Sequence, residues 1–169
     1  MTTSELLLQD FDFEVANTRK LLELIPGDKP TWKPHEKSME IGKLAMHSAT
    51  LPLFGKYIME LPELNLANSP VPHADLTFTT TATLLERQTD SAAQCRSALA
   101  VSSDEDLAKA WKFSFGEQVI SNDIRSLTFR KMCFNHMIHH RAQLTVYLRL
   151  LNIPIPGLYG PSADQPWAA

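Results

Sequence analysis

His136 and His140 stand four residues apart in a stretch with the apolar spacing of a helix, and His47 stands alone in an earlier one. Residues i and i+4 on a helix lie about 40° apart around its axis and roughly 6 Å apart along it, so both imidazoles can reach one divalent cation. A third histidine from a facing helix would leave positions for water or substrate, as catalytic rather than structural sites do. Taken alone the pair is short, and hydrogen-bonded core histidines or histidines on a wet helix face account for it as well. His47 strengthens the metal reading: it lies on a helix whose apolar face includes Leu44 and Leu51, and the small Ala45 and Ala49 leave room beside it.

The later pair belongs to a longer seam. Phe129, Cys133, His136, His140, Gln143 and Tyr147 follow one another at steps of three and four, and form one stripe on a helix. Met137, Ile138, Leu144, Leu148 and Leu151 flank it, so the stripe faces a bundle interior or a cleft in it, where polar groups need partners. Cys133 could offer a thiolate to a metal, although a cysteine on an apolar face is more often a small core residue. Gln143 and Arg141 are placed to orient ligands or to meet an anionic group, and a surface position suits Arg141 almost equally well. His139 is expected beside the site or at the surface, and His35 and His73 fall in proline-rich, solvated connections. Glu40 is the one carboxylate on the face of His47, but seven residues is about 10 Å along a helix, too far to serve as a base.

Four long helical patterns must carry these residues. The first runs over 4–25 and is stopped by Pro26 and Gly27. The second begins after Ser38 as N-cap, with Glu40 in its first turn, and continues to about Met59; Pro52 should kink or divide it. Residues 61–79, rich in proline and asparagine, read as a long surface loop. The third helix covers 81–101, and Ser102-Ser103-Asp104 cap a short turn over 105–110. Alternation around Gly116, between Trp111 and Ser121, suggests a small hairpin or an extended crossover. The last helix runs from about Asp123 to Leu151, capped by Asn122 or Asp123 and ended by Asn152, Pro154 and Pro156. The expected fold is all-α: a four-helix bundle with a short irregular or hairpin crossover before the last helix, one domain over 1–169, with 152–169 a C-terminal coil.

Composition bounds the function. A chain of 169 residues with 44% hydrophobic content can bury a sizeable core. Sixteen basic against nineteen acidic residues, with no basic stripe, argue against a nucleic-acid partner. Cys95 and Cys133 are too few for a disulfide framework and are expected as packed thiols. The first residues resemble neither a signal nor a transit peptide, and no window reaches the roughly 20 apolar residues of a membrane span. A cytoplasmic protein without membrane association is the expectation.

The region WKPHEKSMEIGKLAMH ending at His47, the HMIHHRAQL block with its H-x-x-x-H-R-x-Q pattern, and the ending IPIPGLYGPSAD together resemble the DinB-like (DinB and YfiT) family of metal-binding four-helix bundles. The likeness extends over essentially the whole chain. It implies a divalent ion held by His47, His136 and His140 with water completing the shell, and frequently a homodimer. Some relatives look like thiol S-transferases or mycothiol-dependent isomerases. Imidazole ligands suit zinc or nickel, with iron, cobalt or manganese also compatible. The function expected is a metal-dependent enzyme acting on a small electrophile, with transfer of a low-molecular-weight thiol preferred to hydrolysis because no H-E-x-x-H or comparable base accompanies the histidines. The alternative is a bundle that binds a metal or ligand without turnover, as a sensor, store or interaction module.

Overall fold

The computed structural model describes residues 1–167. Helices α1 (Thr3–Leu22), α2 (Ile41–Thr50), α3 (Pro52–Glu60) and α4 (Thr81–Ala100) pack with a C-terminal helix built in three consecutive parts. Those parts are α6 (Arg125–Phe129), a π-helical stretch over Arg130–Asn135, and α7 (His136–Leu150). A short α5 (Asp104–Ala108) precedes the crossover.

Most helix starts follow from local chemistry. Thr2 and Glu5 form a capping box on α1, Ser103 and Asp106 form another on α5, and the Thr80 side chain accepts from the Thr83 amide at the start of α4. α2 departs from expectation, since Ser38 does not cap it and Glu40 at the cap position makes no side-chain cap bond. The amides of Ile41 and Gly42 donate instead to the carbonyls of Trp32 and Pro30, at 2.8 and 2.9 Å. The folded-back proline loop thus satisfies the donors that a serine would have met. Pro52 divides the second pattern as expected and opens α3, where its missing N–H costs nothing. α1 ends at Leu22, short of Ile25.

A purely all-α bundle is not what forms. β1 (Glu63–Asn65) pairs parallel to β2 (Ala110–Phe115), and β2 pairs antiparallel to β3 (Gln118–Ile124), in the order β1-β2-β3. β1 lies inside the segment read as loop and is too short for any periodicity. The hairpin is longer than 111–121 and turns through Gly116 and Glu117; Gly116 has φ 59° and Glu117 does not, the signature of a type II′ turn. The Asn65 side chain both accepts from the Gly116 amide and donates to its carbonyl, tying β1 to the turn. Because β3 continues through Asn122 and Asp123, neither caps the last helix. It starts at Arg125, whose amide donates to the Lys109 carbonyl at 2.9 Å.

Core side chains gather in three clusters. Leu21, Ile41, Leu44, Leu84, Leu144 and Leu148 belong to one; Phe11, Leu51, Cys95, Phe129, Cys133 and Met137 to a second; Ile58, Leu64, Trp111 and Phe113 seat the sheet on α3. On both α2 and α7 the histidines fall where the first cluster gives way to the second. α7 ends at Asn152 with φ 60°, and the Ile153 amide reaches back to the Leu148 carbonyl at 3.0 Å. The coil beyond is pinned by Arg149 to Asp164; residues 168–169 of the predicted coil lie outside the described residues. No helix among the described residues is long and apolar enough to cross a membrane.

Candidate metal centre

His47 sits in the last turn of α2, just before the break at Pro52, while His136 opens α7 and His140 follows one turn on. All three are half-buried, and one ring nitrogen from each lies within 4.8 Å of the others. Ring centroids are 5.3 Å apart for His47 and His136, and 4.6 Å for His47 and His140. The Nε2 atoms of His136 and His140 stand 2.8 Å apart.

The partners of these rings decide which nitrogens are bare. Gln143 Oε1 lies 2.7 Å from His140 Nδ1; an amide oxygen only accepts, so Nδ1 carries the proton and Nε2 a lone pair. The Met132 carbonyl favours a proton on the His136 ring, and since Nε2 faces His140, that proton belongs on Nδ1. Two lone pairs are therefore aimed at one point, with a third imidazole arriving from the opposite helix. That arrangement repels itself unless a cation or a shared proton lies between, and the donor set fits a divalent ion.

Electrostatics keep the rings neutral. Burial first, then the neighbouring His140 and His136, lower the pKa of His47 to about 4. His136 is lowered by burial and by His140 and His139, against the opposing bond to Met132. His140 is lowered by burial, opposed by Gln143, with His139 adding to the fall. Neutral imidazole is the form that binds metal, so at pH 7 few protons need be displaced.

The other candidates separate clearly. Gln143 is the hydrogen-bond partner of His140. Arg141 turns the other way: it is buried against α1, bonded to the Glu14 carboxylate, the Glu14 carbonyl, Thr18 and the Tyr159 hydroxyl. Neither the surface position nor the place beside the metal ligands describes it. Cys133 stays on the seam but is not among the metal-competent group, and its thiol meets Cys95 in the second core cluster, where that contact, then burial, pushes the Cys95 thiol up. A methyl group at Gly55 would sit 2.6 Å from Cys95 Sγ and 3.1 Å from Cys133 Sγ, which shows how closed the seam is there. His139 is exposed, with its ring 4.9 Å from that of His140, and His35 and His73 are exposed as expected. Sequence reading missed the Met132 carbonyl, which left no signal, and the Glu14 cluster, which did: Glu14 interrupts the buried stripe Leu7, Phe11, Thr18, Leu21 of α1.

Residues 1–167 match the model of the DinB family. The chain belongs to the DinB family. This DinB-family chain is 25% identical over 171 residues to the uncharacterized protein YrdA of Bacillus subtilis (strain 168), a match covering 98% of this chain and 93% of the other. Its fold is similar to the crystal structures of two DinB-like proteins. One, from Bacillus cereus ATCC 10987, has 23% identity and a TM-score of 0.64, covering 90% of this chain and 95% of that one. The other, YjoA from Bacillus subtilis, has 21% identity and a TM-score of 0.67, covering 94% and 97%. At such identities the likeness establishes the DinB fold and carries no activity with it.

Proposed function

We propose that this DinB-family protein holds one divalent ion on His47, His136 and His140 and is a metal-dependent enzyme that joins a small thiol, or water, to a small electrophilic substrate. The observation that carries this reading is the pair of Nε2 lone pairs turned to one point by Gln143 and the Met132 carbonyl, with His47 facing them. Zinc or nickel fits the ligand set best, with iron, cobalt or manganese compatible. When bound, such an ion supplies Lewis acidity that lowers the pKa of a thiol or water at an open position.

The residues of the chain do the rest. Gln143 fixes the His140 tautomer, and the three rings are half-buried rather than sealed in the core. Among the described residues no carboxylate or cysteine joins the three histidines as a fourth ligand or as a base. A thiol, with a pKa near 8.5, needs far less help to ionise than water does, which favours thiol transfer over hydrolysis. The same missing base favours a second reading, a bundle that stores or senses a metal without turnover. A homodimer is part of the proposal, to be checked by sedimentation.

The test begins with protein purified without added metal, its ion identified by anomalous scattering. Metal-dependent turnover of an electrophile with a low-molecular-weight thiol, lost in a folded His47→Ala variant, supports the enzyme. Stoichiometric metal without turnover supports the second reading. Unchanged metal affinity in His136→Ala would overturn the site itself.

A further inference from the structure

A cavity of about 600 Å³ lies beside the first half of α2, between residues 30–31 and residues 74–78. That size falls in the range of small-molecule sites. Lys43 and Glu40 line it, four and seven residues before His47, so both project within about 40° of the direction of His47, roughly 6 and 10 Å along the axis. Glu40 and Lys43 therefore share one helix face with His47. Asp75 lines the cavity from the other side, with its carboxylate held below the usual range by the Thr77 amide at 2.9 Å.

Among the described residues none of Glu40, Lys43 or Asp75 takes part in an ion pair, although the Arg87 charge also acts on the Asp75 carboxylate. The first amides of α2 are not available to an anion, because Ile41 and Gly42 already donate to Trp32 and Pro30. Lys43 is thus the anion-binding group of the cavity, and Glu40 and Asp75 are its cation-binding groups. Phe78, seated on Gly42, supplies an apolar wall.

We propose that this groove binds the zwitterionic, amino-acid-type end of the substrate that reacts at the histidines, Lys43 taking its carboxylate, Glu40 and Asp75 its ammonium, and Phe78 the carbon chain between. The assignment of this end to a reacting substrate rests on the metal-dependent reading above and narrows it to amino-acid or short-peptide compounds. Opposite charges placed along one wall select a ligand bearing both over a ligand bearing either.

The experiment has two arms. Metal-free, ¹⁵N-labelled protein is titrated with S-methyl-L-cysteine, 2-(methylthio)ethylamine and 3-(methylthio)propionate, whose sulfur is blocked and whose charges are both, cation only and anion only. Expected are amide shifts at Thr31, Lys43, Asp75 and Thr77, binding at least tenfold tighter for the zwitterion, and a tenfold loss in the exposed variant Lys43→Gln. Equal affinities, shifts elsewhere or none, or an indifferent Lys43→Gln overturn the groove. In the second arm, cobalt-loaded protein is titrated with L-cysteine and 2-mercaptoethanol and followed by visible absorption. A tenfold preference for L-cysteine that Lys43→Gln abolishes ties the groove to the histidines; no preference refutes that link. Failure of the metal reading shows separately, as protein that takes up no cobalt while the first arm still reports on the groove.

Discussion

Replacing Arg141 by methionine should destabilise the protein more than any single change at the histidines. The Arg141 and Glu14 side chains are 2% and 12% exposed, with Nη2 2.5 Å from Glu14 Oε2. Arg141 also donates to the Glu14 carbonyl at 3.0 Å and to Thr18 Oγ1 at 3.3 Å. Without it, the Glu14 carboxylate keeps only the Tyr159 hydroxyl, at 2.8 and 2.9 Å, inside the bundle. A buried charge stripped of its partner costs about 3–5 kcal/mol. At about 2–4 °C per kcal/mol for a chain of this size, Tm should fall by roughly 6–20 °C. Circular dichroism melting and urea midpoints measure this. The double variant Glu14→Leu, Arg141→Met removes both charges and should recover most of the loss, because an apolar pair of similar volume is often neutral. A single variant within about 1 kcal/mol of the wild type, or a double variant no better than the single, refutes the account of an essential buried pair. Metal affinity in the folded double variant should be unchanged, since no member of this cluster bonds to a histidine.

Gln143→Leu removes the acceptor that fixes the His140 tautomer, so metal affinity should drop by about 10–100-fold with the fold intact, as competition with a chromophoric chelator would measure. Metal-free protein should lose stability as pH falls. His47 has a folded pKa of about 4, below its unfolded value of 6.5, so the penalty is absent above pH 6.5 and complete near pH 4. The full shift corresponds to about 3 kcal/mol, which partial exposure of the ring reduces to about 1–2 kcal/mol; His47→Ala should flatten this part of the urea-stability profile. Gly55→Ala forces a methyl group to 2.6 Å from both Cys95 Sγ and Phe129 Cε2, and should cost about 1–3 kcal/mol in urea unfolding.

Periodicity made the helices legible because each buries a stripe, and the i, i+4 spacing with His47 pointed to three rings that the fold brings together. What stayed hidden depended on partners distant in the chain. Ser38 looked like a cap only because the carbonyls of Pro30 and Trp32, which fold back onto α2, leave no trace in local sequence. Asn122 and Asp123 are good cap residues, yet pairing to β2 draws them into a strand, and the Asp123 carboxylate accepts from Ser121 and Lys131 instead. Arg141 was misplaced because helical phase alone does not say whether the side facing α1 holds a carboxylate; Glu14, out of place in an apolar stripe, was the cue. Cys133 kept its phase but lies one turn toward the closed end of the seam, where Cys95 and Gly55 fill the space.

A π-helical stretch ends where the histidines of the last helix begin. In a regular α-helix the His136 amide would bond to the Met132 carbonyl, four residues back. Here it bonds to the Cys133 carbonyl, and the Met132 carbonyl favours a proton on the imidazole above it. That acceptor puts the ring proton on Nδ1 and leaves Nε2 bare toward His140. A backbone carbonyl thus acts on His136 as Gln143 acts on His140 one turn later. π-helical irregularities often mark functional sites, and this one ends at His136.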